Sequence, residues 1–474
     1  MKIPFIGPTY QARSLKADAQ RALNVYLETD PVSPRGPAVL YGRPGMETRF
    51  TLASAGVRGA ITVGEVSYFV SGNAVYRVTT GYAATLMGTI GTTSGPVSLA
   101  TNGQQVLIVD GLNGWLASLT GFAQITDVDF PNGVKSATCI AGFFVVTGDG
   151  SGQFYWNEVP NVGANWNGLD FASAEGSPDD TVACLANHLE LILIGSKTTE
   201  IWVLTGDADA PFIRSGNTFI QVGTPAGQTL AGLDNTFFWL GQDENGSGMV
   251  WRANGYSPQR ISTHAVERVL QTYTNLSDAI AMTMQIEGHA FYVLTFPTDD
   301  HTWVYDVATG QWFEWLWRDP LTNVDHRWRP NCHVFFNGEH LVGDWETGEV
   351  YALDLDVYTD DGNPIRYLRA TQCIDNEDGF YNFYDFLTVD MDAGVGLATG
   401  QGSAPLLSMR WSNDGGNTWS NPLTVSMGAA GEYSARARFT QLGQGRNRVW
   451  EVSCTDPVKF ALIGAYSKFR KGFS

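Results

Sequence analysis

The sequence predicts an all-β fold: a β-propeller of about six to eight blades, with an extended N-terminal arm and a C-terminal β-sandwich-like region. Three observations predict it. The chain has 474 residues, more than one hydrophobic core usually serves, so it needs several domains or a repeat array. It holds 53 glycines and 12% aromatic residues but only 16% charged ones, the composition of short strands joined by tight turns. And one hairpin pattern recurs along its middle.

Residues 1–50 read as an arm. Pro4, Gly7 and Pro8, then Pro31, Pro34, Pro37 and Pro44 with Gly36, Gly42 and Gly45, forbid a continuous helix. Ser14 to Leu27 fits either a short helix or an extended segment. Such an arm must lie against its own domain or a neighbour.

Residues 51–364 read as the propeller. Seven hairpins fall at 64–78, 103–119, 141–159, 187–204, 235–253, 288–306 and 338–355. Their first strands recur roughly every 37 to 54 residues, the spacing of blades. Each hairpin is expected to be the middle of a four-stranded blade, with the Gly/Thr/Ser-rich stretches between supplying the other strands. One blade buries its face only against the next, so the ring must close, often with a strand lent by a terminus. One helix is predicted over 261–273. Ala265, Val266, Val269, Leu270 and Tyr273 share a face, and Ser262 or Thr263 is the cap.

Residues 365–474 have longer alternating strands, such as FYDFLTVDMDA and RNRVWEVSCTD. They read as a sandwich-like domain or as closing blades.

The formal charge is −19, which argues against gripping nucleic acid through its phosphates. The acidity is uneven. Lys2, Arg13, Lys16, Arg21, Arg35, Arg43 and Arg49 make the first fifty residues basic, and Arg436, Arg438, Arg446, Arg448, Lys459, Lys468, Arg470 and Lys471 do the same at the other end. Both ends suit acidic partners or ordinary solvated surface. The cysteines at 139, 184, 332, 373 and 454 are widely spaced and lack a C-x-x-C pair, as expected of free thiols in a reducing compartment. No signal peptide and no membrane-length apolar run is found.

Catalytic motifs are missing: no P-loop, no dinucleotide fingerprint followed by a helix, no G-x-S-x-G and no H-E-x-x-H. No catalytic residue, cofactor or metal is therefore assigned. His326, Cys332, His333 and His340 cluster in sequence, and the loops 243–248 and 354–363 are rich in oxygen ligands, but ordinary strand and turn roles explain both. Trp312, Trp315, Trp317 and Trp328 make either a blade core or a contact platform. One motif is complete. Ser412, Asp414, Gly416, Thr418 and Trp419 fit the Asp-box pattern S-x-D-x-G-x-T-W. The box is a folding device that recurs in sialidases, so a carbohydrate-active or carbohydrate-binding propeller is the alternative reading. A generic peptide-binding propeller is a third.

Two segments carry a more specific resemblance. The opening has Gly7 to Tyr10, Arg13–Ser14, Gln20–Arg21, and Asn24, Tyr26 and Glu28, followed by LYGRPG; the end runs FTQLGQGRNRVWEVSCTDPVKFALIGAY. Both resemble the tail hub proteins of short-tailed bacteriophages, also called packaged-DNA stabilisation proteins. The resemblance implies a structural virion protein made in the host cytoplasm and carried in the tail, without enzymatic activity. Six copies would form a ring below the portal and its adaptor protein, extending the DNA channel and retaining packaged DNA. The ring would hold the tail needle, with tailspikes docked around it. An acidic channel wall would let DNA slide without sequence-specific binding. On this reading Tyr10, Arg13, Gln20, Arg21, Asn24, Tyr26, Arg436, Arg438, Arg446 and Arg448 are the expected assembly contacts.

Overall fold

The computed structural model describes residues 1–474 except 31–37, 53–54, 175, 177–178, 208–209, 376–378 and 473–474. The propeller forms as the hairpin spacing predicts. Six blades are built from four consecutive antiparallel strands each, spanning 57–89, 98–124, 136–173, 181–220, 231–260 and 280–314. A seventh unit has three strands of its own, Pro330–Phe336, Glu339–Asp344 and Glu349–Asp354. Its outermost strand is Gly45–Thr51, lent by the N-terminal arm. Every hairpin read from the sequence is the central pair of one of these blades.

The innermost strands touch their neighbours through short side chains. Ala137 N–H donates to Ser98 Oγ (3.0 Å), Cys184 N–H to Ser136 Oγ (3.0 Å), and Ala186 N–H to Thr138 Oγ1 (2.9 Å). Asn331 Nδ2 donates to the Val57 carbonyl at 2.9 Å, joining the seventh unit to the first blade and closing the ring. Hydroxyls serve here because they satisfy backbone groups where adjacent sheets converge too tightly for larger side chains. Between most blades lies a separate apolar cluster, such as Val70, Ile108 and Ala117 between the first two.

The gap between the sixth and seventh units is different. Its residues Phe291, Trp315, Trp328 and Tyr351 share one continuous core with the arm and the C-terminal domain. That domain is a two-sheet sandwich. One sheet holds Asn382–Met391, Ala437–Thr440 and Ala461–Lys471; the other holds Tyr367–Ala370, Leu406–Ser412, Leu423–Ser426 and Val449–Cys454.

Pro31, Pro34, Gly36 and Pro37 lie outside the described residues, and the described part of the arm forms short strands. Lys2–Ile3 and Ala38–Gly42 pair with Ala461–Lys471, and Val25–Thr29 pairs with Ala38–Gly42. Ala19–Leu23 pairs with Tyr367–Ala370 on one side and meets the sixth blade at Leu23 and Glu314 on the other. Ser14 to Asp18 is a turn, and Ala19 to Leu27 is extended rather than helical. The helix expected over 261–273 is only His264–Leu270, capped by Thr263. It starts late because Ile261 N–H still bonds the Val250 carbonyl of the fifth blade at 2.9 Å.

Candidate assembly site: the clasped arm and the sandwich face

The family-like residues of the arm converge on the seam between propeller and sandwich. Asn24 sits at its centre with φ +57, a left-handed conformation that Asn tolerates better than most residues. Its Oδ1 accepts from Arg43 Nε (3.0 Å) and Leu316 N–H (2.8 Å), its Nδ2 donates to the Arg366 carbonyl (2.9 Å), and its N–H donates to the Glu314 carbonyl (2.8 Å). Arg43 is fully buried and makes a bidentate pair with Asp360 at 2.8 and 2.6 Å. Such forked geometry is the form in which a buried ion pair tolerates the loss of water.

Arg21 grips Glu314 on the sixth blade through Nε and Nη2, the shorter contact being 2.8 Å. Burial alone would raise the Glu314 carboxyl. Arg21 and His301 outweigh it and hold Glu314 below its ordinary range. Arg369, within Tyr367–Ala370, has no carboxylate partner among the described residues. Its guanidinium donates to the carbonyls of Phe5, Pro8 and Arg21 and to Gln20 Oε1. Burial pulls it down to about 9. This explains the Gly-Pro-Thr-Tyr element. A Cβ on Gly7 would lie 2.9 Å from Gln20 Oε1 and 3.0 Å from Arg369 Nη2. Pro8 supplies an acceptor, Thr9 Oγ1 exchanges hydrogen bonds with Ala22, and Tyr10 pairs with Gln20. Tyr26 is buried against Phe291 and His289 of the sixth blade at ring separations of 5.8 and 5.0 Å.

Gln20, Arg21, Asn24 and Tyr26, four of the expected assembly contacts, thus make these contacts within the chain. Arg13 is exposed and Tyr10 half-buried. Arg448 is also internal. It donates to Asn413 Oδ1 (3.0 Å) and to the carbonyls of Leu442 (2.7 Å) and Gln444 (3.0 Å), with its cation 4.1 Å from the Tyr384 ring centroid. Arg436, Arg438 and Arg446 are exposed.

Sequence reasoning missed Arg369, Arg43, Asp360 and Glu314. One signal was present: an arginine inside the otherwise apolar run Tyr-Leu-Arg-Ala must find acceptors where it is buried.

The Asp box forms as written. Asp414 Oδ1 accepts from Ser412 Oγ (2.6 Å), Asn417 N–H (2.9 Å) and Thr418 N–H (2.8 Å), and Oδ2 accepts from Thr418 Oγ1 (2.6 Å). These bonds, led by the Ser412 and Thr418 hydroxyls, hold its carboxyl well below the usual carboxylate range. Trp419 lies under Arg410 at 4.6 Å. At Gly415, φ is +77 and an added Cβ would come within 3.0 Å of the Lys16 backbone, so the box is a bracket that seats the arm.

The remaining candidates resolve into structural roles. Trp312, Trp315 and Trp328 are buried, and only Trp317 is partly open, beneath Arg329. His326 pairs with Asp300 (2.6 Å) away from His333 and His340, whose rings stack with Nε2 and Nδ1 3.0 Å apart. Asp243 caps its own turn, Asp360 holds Arg43, and Asp361 accepts from Thr48. Among the described residues no three His, Cys, Asp or Glu side chains converge as metal ligands, and no helix is long and apolar enough to cross a membrane. The five cysteines are free, and burial pushes the Cys184, Cys332 and Cys454 thiols up to about 12.

Comparison with known proteins adds identity at the level of families. A family model described as bacteriophage P22 Gp10, beta-propeller, matches residues 1–358, and one described as bacteriophage P22 Gp10, beta-sandwich, matches residues 366–469. A search of curated proteins finds no match. Similar solved structures include the N-terminal domain of Nup159 (11% identity, 72% of this chain and 100% of that one, TM-score 0.43). Another is the Pan2 WD40 domain of Neurospora crassa (10%, 71% and 96%, TM-score 0.41). A third is an extracellular domain of a putative hybrid two component system from B. thetaiotaomicron (11%, 74% and 45%, TM-score 0.44). At these TM-scores the three likenesses carry no weight in the assignment.

Proposed function

Since this chain belongs to the bacteriophage P22 Gp10 family, propeller and sandwich together, we propose that it is the structural hub of a short phage tail. Six copies form a ring below the portal and adaptor. The ring extends the DNA channel, retains packaged DNA until ejection, and anchors the tail needle and tailspikes. The protein does no chemistry in this role. The observation that carries the reading is the family match across both modules. Charge supports it: residues 51–364 hold 34 Asp and Glu against 11 Lys and Arg, so a propeller wall facing the lumen repels phosphate and lets DNA pass. The interlocked arm supports it too, because a hub under DNA pressure needs propeller and sandwich to move as one.

The test is a phage lacking this protein, viewed by electron microscopy, together with the purified protein added to portal–adaptor complexes. The expected results are particles that lose their DNA and a six-fold ring restored on addition. Particles that keep their DNA and infect normally without the protein would falsify the reading.

A further inference from the structure

The sandwich sheet formed by Asn382–Met391, Ala437–Thr440 and Ala461–Lys471 buries one face, and among the described residues nothing covers the other. Its inward residues, among them Leu387, Val389, Phe439 and Ala465, belong to the core. Period-two alternation then fixes what points outward. The strand register sets these outward side chains in rows. Lys2, Tyr466, Thr388 and Arg438 form the first row; Lys468, Phe386 and Thr440 form the second; Arg470 and Phe383 lie beside each other in the third.

The face is basic and aromatic in a protein of net charge −19. Arg438 lies over the Phe386 ring at 4.0 Å, and at the sheet edge Arg446 lies over Tyr381 at 4.5 Å. Tyr466 is 45% and Phe383 42% exposed. Arginines held over rings are positioned before a partner arrives, so less side-chain entropy is lost on binding. Beside the first row, Arg436 and Tyr466 line a shallow cavity of about 290 Å³, large enough for a side chain.

We infer that this face is a docking surface for an acidic protein surface, namely the propeller of the neighbouring copy in the ring. The inference rests on the tail-ring reading above. Charge complementarity selects the occupant. Outside residues 51–364 the chain has 18 Lys and Arg against 14 Asp and Glu; inside, acids outnumber bases by more than three to one. A head-to-tail contact, sandwich of one copy on propeller of the next, is the heterologous arrangement that closes into a ring. Two features disfavour nucleic acid as the occupant. Asp385 lies among these cations, accepting from Arg470 at 3.1 Å, and Asp390 borders the cavity. Both would repel phosphate, whereas a protein partner can match them with its own cations.

The test uses the full-length protein assembled on portal–adaptor complexes. Rings made from equal parts of ordinary and ¹⁵N-labelled protein are treated with a zero-length carbodiimide cross-linker. Mixed-isotope links should join Lys2 or Lys468 to carboxylates within residues 51–364. The double variant Arg438→Glu, Lys468→Glu should lower ring occupancy at least tenfold, while Arg438→Lys, Lys468→Arg retains it. Normal rings from the reversed variant, or mixed-isotope links that avoid this face, overturn the inference and leave the tail-ring reading standing. So does binding of a labelled 20-base-pair duplex that the reversal abolishes without affecting the ring, which assigns the face to nucleic acid. Failure of the wild-type protein to form any ring overturns the tail-ring reading, and this inference with it.

Discussion

Arg43, Arg369 and Arg448 are all fully buried, and each is accommodated differently: by a carboxylate fork, by arm carbonyls, and by loop carbonyls with aromatic rings. Breaking the fork leaves an unmatched buried charge, so Asp360→Ala is expected to cost about 3–5 kcal/mol in denaturant unfolding. Arg369→Met strands the acceptors it now satisfies, and a loss of about 3 kcal/mol is expected. The stacked pair His333 and His340 gives a pH dependence. Burial, aided by His340, pulls His333 down to about 4, and burial also lowers His340. Both are neutral in the folded protein near pH 7. The unfolded chain binds their protons first as pH falls below about 6.5, so stability declines from there toward pH 4. His333→Gln should flatten that decline in melts recorded across the range. At this scale the sequence was only half legible. The Gly-Pro-Thr-Tyr element and Asn24 stood out through the family resemblance alone. Their partners did not, because Glu314, Asp360 and Arg369 lie about 300 or more positions away along the chain.

The blade hairpins were readable because each is local: a turn of two to several residues joins strands whose alternation is visible in one window. The Asp box was readable for the same reason, all its bonds lying within five residues. Closure by a borrowed strand was foreseeable from the need to remove exposed edges, but which strand was not. Gly45–Thr51 pairs with Glu349–Asp354, and nothing in either segment names the other. A chain beginning at residue 52 should therefore leave Glu349–Asp354 as an open edge and lose the strands it lends the sandwich. Such a chain is expected to aggregate in size-exclusion chromatography rather than run as a compact species. The tryptophan-rich stretch 309–320 was ambiguous because burial, not composition, separates a core from a platform, and burial here is supplied by the arm and the sandwich.

At the scale of the molecule, composition spoke clearly about class and charge but not about connectivity. Two modules in tandem would ordinarily unfold separately. Here the arm contributes to both sandwich sheets and to the seventh blade, and one core runs through all three parts. Calorimetry of the wild-type protein should show a single transition, and Asp360→Ala should split it into two. The pairing of Lys2–Ile3 with Tyr466 and Ala465 has a consequence for biosynthesis. Lys2 and Ile3 find their partners only after Ala461–Lys471 has been made, roughly half a minute to a minute and a half later at about 5–20 residues per second. The seventh blade waits for Glu349–Asp354 and the sandwich for Ala461–Lys471, leaving the nascent arm as a client for the host's chaperones until then.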